Sequence, residues 1–190
     1  SSSCPHLICN DMNLHTRQML DLSDGGHLAL DTVQHESLTD DSPILLIIPG
    51  LTGHAKAEYI QQVARHVLEE LKFRTVVLTN RGLNGTTLKT PRGYCGAYTQ
   101  DIREVVEHLH SKYSYVPVYA LGYSLGSNLL VKYLGEEGQS TGIRAAISVS
   151  NPYDFVKSSE TLSGRPFYSF FLTQGLKEYY ATYASLPPSH

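Results

Sequence analysis

Cysteine is scarce in this 190-residue sequence: Cys4, Cys9 and Cys95 form an odd set with no C-x-x-C pair. They give neither a disulfide framework nor a zinc pattern, and read as buried or idle thiols in a reducing compartment. Basic charge is also short. Fifteen Lys and Arg stand against eighteen Asp and Glu, a net charge of −3 with His neutral, so no positive field points to nucleic acid. Long apolar runs are missing. The longest, Ile44 to Ile48, is far shorter than the ~20 residues needed to cross a bilayer. No Met opens the chain and no apolar leader follows Ser1, so it reads as a piece whose original start is absent. Internal repeats and low-complexity segments do not occur. Nine histidines are present, but only His108 and His110 lie close together. Residues two apart on a helix do not share a face, so no metal site is expected.

What the sequence does hold is core material. Hydrophobic residues make up 41% and charged residues 17%, enough for one packed domain and too apolar for wholesale disorder. Residues 1–16 show no period and read as a tail. From Arg17 to Val33, two apolar stretches flank Asp24-Gly25-Gly26, a hairpin signal. Glu36 to Pro43 is a polar connector. Four apolar bursts follow, Ile44–Ile48, Thr75–Thr79, Val118–Leu121 and Ile143–Val149, of the kind that suits strands buried on both faces. Helical spacing fills the intervals: Ile60, Val63, Ala64, Val67, Leu68 and Leu71; then Ile102, Val105, Val106 and Leu109; then Leu125, Leu129, Leu130, Tyr133 and Leu134, ending near Gly135. Alternating strands and helices predict a mostly parallel α/β sheet with right-handed crossovers over residues 17–150.

After Asn151-Pro152-Tyr153-Asp154, which reads as a turn, the style changes. Tyr168, Phe171, Leu172, Leu176, Tyr179, Tyr180 and Tyr183 form one helical stripe. Core packing is its first reading. The second is a lid facing an acyl chain or a membrane, so residues 151–190 are read as the start of a cap.

Chemistry concentrates at Leu121-Gly122-Tyr123-Ser124-Leu125-Gly126, a G-x-S-x-G pattern between a strand and a helix. Such a turn pushes the serine hydroxyl out of the sheet. It brings the residues two places either side close to backbone, which is why both are Gly. The helix start aims free N–H groups at an oxyanion. Ile44–Ile48 runs into Pro49-Gly50-Leu51-Thr52-Gly53-His54, where Gly50 and Gly53 allow the backbone to approach a substrate. Oxyanion donors are expected at the backbone N–H of Leu51 or Thr52 and of Leu125. Arg81, in Asn80-Arg81-Gly82, is expected to tie loops together rather than to catalyse. Nucleotide binding fails on residues: there is no G-x-G-x-x-G spacing, and no G-K-[ST] follows a Gly-rich loop.

The sequence resembles the α/β-hydrolase superfamily. Within it, the chain is similar to the lipase and esterase branch containing YheT-like hydrolases, medium-chain ester synthase/esterases and membrane-anchored phospholipase and acylglycerol lipase relatives. The resemblance rests on Asp24-Gly25-Gly26, Pro49-Gly50-Leu51-Thr52-Gly53, Asn80-Arg81-Gly82, Thr90-Pro91-Arg92, Gly122-Tyr123-Ser124-Leu125-Gly126, Lys132-Tyr133-Leu134-Gly135 and Ser150-Asn151-Pro152-Tyr153-Asp154, and covers roughly residues 17–180. It implies an α/β-hydrolase fold and a serine hydrolase of carboxylic esters, with Ser124 as nucleophile and no cofactor. Its substrates would be lipid or short- to medium-chain acyl esters. It also implies an acid and a His later in the chain. Only 66 residues follow Ser124, with Asp154 the one later Asp and His190 the one later His. Neither is assigned to a triad, and the acid, the base and the last strands are expected beyond residue 190. The chain alone is then expected to be nearly inactive and soluble. The intact parent would be intracellular and membrane-associated through an N-terminal anchor. An acyl-to-alcohol transferase and a noncatalytic lipid-binding or interaction protein are the competing readings.

Overall fold

A computed structural model describes residues 15–183. Cys4, Cys9 and His190 lie outside the described residues, as does most of the expected tail. The hairpin forms: strand β1 (His15–Asp21) pairs antiparallel with β2 (His27–Val33), with Asp21 opposite His27. β1 begins two residues before the pattern at Arg17, so His15 and Thr16 belong to the sheet rather than the tail. Gly25 takes φ +80° in the turn, and the Asp24 carboxylate accepts from the Gly26 amide (3.0 Å).

The bursts become β3 (Ile44–Ile48), β4 (Arg74–Thr79), β5 (Val118–Tyr123) and β6 (Ile143–Val149). The sheet order is β1-β2-β4-β3-β5-β6. β2 meets β4 antiparallel, while β4, β3, β5 and β6 run parallel. Between them lie helices α1 (Glu58–His66), α2 (Gln100–Lys112) and α3 (Leu125–Glu137), and α4 (Phe155–Ser163) and α5 (Pro166–Tyr183) follow.

Period-two alternation divides the central strand between two cores. Ile44, Leu46 and Ile48 pack with Ile102, Leu109, Leu129 and Leu130 of α2 and α3. On the other face Ile47 meets Val77, Leu121 and Ile60 of α1. Each such side chain taken fully out of water contributes roughly 1.5–3 kcal/mol, so β3 is anchored on both faces of the sheet.

The first helical segment ends where the pattern does, at Leu71, whereas the third ends elsewhere than the sequence suggests. α1 continues as a π-helical turn, Val67–Leu71, and stops at Lys72 with φ +55°. α3 does not stop at Gly135. It runs on until Gly138, which adopts φ +55°. Gly135 stays helical because Glu136 and Glu137 carry the last turn, held by Lys132, Thr99 and Arg103.

β6 is the opposite edge of the sheet, and its central residues are exposed, Ile147 by 62%. Among the described residues no strand pairs with its outer side. Asp154 is the N-cap of α4, its carboxylate accepting from the Lys157 amide (2.9 Å). Among the described residues no helix is long and apolar enough to cross a membrane.

Candidate active site

β3 and β5 are parallel neighbours, with Ile48 opposite Gly122. The loop after one and the turn after the other therefore leave the sheet side by side at its C-terminal edge, where open α/β sheets bind ligands. Ser124 sits at the top of that turn with φ 50° and ψ −119°. A β-carbon makes this conformation costly, by about 1–3 kcal/mol, and it persists only where the surroundings impose it. They do so through backbone: Ser124 N–H donates to the Val149 carbonyl (2.9 Å), and its carbonyl accepts from Asn128 N–H (3.1 Å).

The motif glycines are required by contact. A Cβ at Gly126 would lie 2.2 Å from the Pro49 carbonyl oxygen and 2.3 Å from that of Ile48. One at Gly122 would lie 2.6 Å from Ser127 Cα. The elbow is thus pressed onto the end of β3. Gly50 completes the contact, its Cβ position 3.1 Å from Ser124 Cβ.

Ser124, Gly50, Leu51 and Thr52 line one cavity of about 160 Å³. The predicted residues are therefore brought together: nucleophile candidate and loop share a single space. Among the described residues, the Ser124 hydroxyl has no hydrogen-bond partner, and the backbone N–H groups of Leu51, Thr52 and Leu125 donate to no acceptor. Leu125 opens α3, so its N–H is one of the donors a helix start leaves free. No imidazole of the described residues lines the cavity.

The roof was only half legible. Leu172 and Gly175 of α5 line the same cavity. Of the described members of the aromatic stripe, Tyr179 is buried, while Leu172, Leu176 and Tyr180 are exposed. Among its described members the stripe thus places Leu172 at the cavity and buries Tyr179. The side chains of Tyr168, Phe171 and Tyr183 lie outside the described residues. Tyr179 ties α5 to the loop of Tyr94: its hydroxyl accepts from the Tyr94 amide, and Gly82 leaves it room, a Cβ there falling 3.2 Å from its ring.

Two aromatics that the sequence does not signal, Tyr59 and Tyr94, pack beside the elbow residue Tyr123 and the end of β3. Tyr59 meets Tyr123 edge to face at 4.9 Å. Burial pushes both phenols above their ordinary pKa, with Tyr123 adding to the effect on Tyr59. Tyr94 donates to the Pro49 carbonyl (3.4 Å), and burial raises its pKa strongly. Neither glycine nor periodicity signals these residues, because the Tyr94 loop is irregular and Tyr59 falls outside the apolar stripe of α1.

Arg81 performs the tying role expected of it. Its buried guanidinium binds both oxygens of Asp101 at 2.7 and 2.8 Å and Asp24 at 2.8 Å, joining the hairpin turn to α2 beneath the β4 loop. Burial alone would lower its pKa, and the two carboxylates more than reverse that. His108 and His110 take separate partners, Gln18 and the Gly142 carbonyl. Cys95 is an exposed free thiol.

Comparison with known proteins agrees with this geometry. A family model described as the alpha/beta hydrolase fold matches residues 43–183. The chain is 39% identical over 153 residues to a Homo sapiens protein named Phospholipase ABHD3, covering 78% of this chain and 37% of that one. It is 35% identical over 137 residues to a Saccharomyces cerevisiae monoacylglycerol lipase, covering 72% and 30% respectively. The chain thus spans about two fifths or less of these relatives' lengths. An esterase structure from Pyrococcus furiosus superposes with a TM-score of 0.63 at 16% identity, covering 87% of this chain and 65% of that one. The chain belongs to the α/β-hydrolase family.

Proposed function

We propose that the chain carries the nucleophile half of a serine hydrolase acting on carboxylic esters, lipid esters among them. One observation supports this most: a serine held at φ 50° and ψ −119°, its hydroxyl unpaired among the described residues, shares a cavity with a loop whose Leu51 and Thr52 N–H groups are also unpaired among them. Ser124 Oγ attacks the ester carbonyl, and the C–O bond to the alcohol breaks after a tetrahedral intermediate. The N–H groups of Leu51 or Thr52 and of Leu125 stabilise the oxyanion, an effect worth about 3–4 kcal/mol per donor in comparable sites. Water then releases the acid; an alcohol in its place would make a new ester.

The proton of Ser124 needs a base, and none of the described residues at the cavity supplies one. The 190-residue chain by itself is therefore slow, by several orders of magnitude, since loss of a triad member typically costs that much. This is also what favours the second reading, a noncatalytic protein with a hydrolase fold. A fluorophosphonate probe separates them. Labelling that maps to Ser124 and vanishes in Ser124→Ala supports an activated serine. Labelling no faster at Ser124 than at other serines, in a longer chain that also carries the acid and the base, supports the noncatalytic reading.

A further inference from the structure

One loop, through Tyr94 and Gly96, touches three elements that surround Ser124. The Tyr94 amide donates to the Tyr179 hydroxyl of α5, and the Tyr94 hydroxyl reaches the Pro49 carbonyl at the end of β3. The Gly96 carbonyl accepts from the Asn128 side-chain amide of α3 (2.8 Å). Gly96 also lies against Leu125: a Cβ there would fall 2.6 Å from Leu125 Cδ1 and 3.4 Å from its Cγ. The loop is thus fastened to the helix that follows the nucleophile, and the fastening is Asn128. Helix propensity does not account for an Asn in the first turn, since Asn is a weak helix former. The bond to Gly96, 32 residues away, does.

The peptide group between Ser124 and Leu125 carries one of the N–H groups expected at the oxyanion. In a planar trans peptide the C=O and N–H point in opposite directions, so a hold on the carbonyl aims the N–H. The Asn128 main chain supplies that hold, its N–H donating to the Ser124 carbonyl (3.1 Å). The Asn128 side chain supplies another. By keeping Gly96 against Leu125, it stops the far end of the same peptide group from rocking. Such donors act only when held within about 0.5 Å of the productive geometry. We propose that Asn128 is a positioning residue for acyl transfer: its side-chain amide pins the Gly96 loop onto Leu125 and thereby holds the Leu125 N–H at the oxyanion. This rests on the ester-hydrolase reading and deepens it.

The test compares two substrates on the 190-residue chain: p-nitrophenyl hexanoate and its thiono analogue, with sulfur in place of the carbonyl oxygen. In each, Ser124 Oγ bonds to the acyl carbon, p-nitrophenolate leaves and the serine proton passes to water. Mass spectrometry follows the adduct on Ser124. Sulfur accepts hydrogen bonds weakly, so the ester-to-thionoester rate ratio reads the oxyanion donors rather than the state of the fold. Where a triad member is missing, the rate that remains comes from those donors and from binding. Removing one donor outright costs about a hundredfold or more, so Asn128→Leu, close in size but without the amide, should lower the ratio about tenfold. Gly96→Ala presses on Leu125 from the loop side, leaves Asn128 intact and should lower the ratio about threefold. Because Gly96 lies in a loop, this second variant tests the proposal even if the first disturbs α3. Equal slowing of both substrates in either variant is what a merely structural role gives, and it overturns the proposal alone. No adduct on Ser124 of the unsubstituted chain sinks the hydrolase reading, and this proposal with it.

Discussion

Replacing Gly126 with Ala inserts one methyl group where the start of α3 and the end of β3 are in backbone contact. The new carbon would sit 2.2 Å from one carbonyl oxygen and 2.3 Å from another. Ordinary contact needs about 1 Å more, and neither oxygen belongs to a side chain that could rotate away. Overpacking of this kind costs typically 1–3 kcal/mol, and rigid partners place it at the upper end, about 3 kcal/mol. With a urea slope of about 2 kcal/mol per molar, the unfolding midpoint falls by about 1.5 M. Gly135→Ala supplies the control in the same helix. No atom lies within 4 Å of its Cβ position, so the substitution removes only a helix-interior glycine and stabilises by about 0.5–1 kcal/mol. Its midpoint rises by about 0.25–0.5 M on the same slope. Urea unfolding followed by circular dichroism reads both. If the two variants shift the midpoint alike, the elbow is not pressed against β3 and the reasoning from contact is wrong.

Arg81→Met strands the Asp101 carboxylate inside the protein, a loss of about 3–5 kcal/mol, and the double variant Arg81→Met/Asp101→Leu recovers much of it; a single-variant loss below 1 kcal/mol in urea would contradict the tie. Acid should loosen the hairpin turn. Burial opposes the charged forms of Asp24 and Glu104, but bonds from Arg81 and the Gly26 amide to Asp24, and from Ser23 to Glu104, outweigh it and hold both carboxyls below their ordinary range. A lowered folded pKa gives stability that is present above the unfolded value, about 4 to 4.5, and lost as pH falls through the folded one. Burial pushes Asp101 the other way and offsets part of this. Protection of the Leu22 and Gly25 amides from hydrogen exchange, taken against the unprotected rate at each pH, should therefore fall below about pH 4.5, and Asp24→Asn should flatten that dependence; pH-independent protection would refute it. Ile147→Lys, on the exposed edge β6, should reduce self-association in sedimentation experiments with little change in stability, and unchanged association would show the edge is not adhesive.

Much of this was legible in residue patterns, for identifiable reasons. β3 and β4 are buried on both faces, so their apolar runs stand out. The glycines of Gly122-Tyr123-Ser124-Leu125-Gly126 mark backbone contacts that no other residue tolerates. The end of α3 was misplaced because Gly135 and Gly138 look alike in sequence, and only Gly138 takes positive φ. Tyr94 and Tyr59 were invisible because they depend on which loops and helices meet. The aromatic stripe of α5 was visible as a pattern but not as a position, since periodicity does not say what a helix covers.

The most direct test of Ser124 as nucleophile is trapping its acyl-enzyme. The chain is incubated with p-nitrophenyl hexanoate, whose leaving group departs without an acid, then quenched and mapped by mass spectrometry. Without a base among the described residues at the cavity, attack by Ser124 and release of the acid are both slow, so incubation is long and the ester, once formed, persists. The account predicts one hexanoyl adduct, on Ser124, absent from Ser124→Ala. Adducts scattered over exposed serines, with Ser124 unmodified, would contradict it.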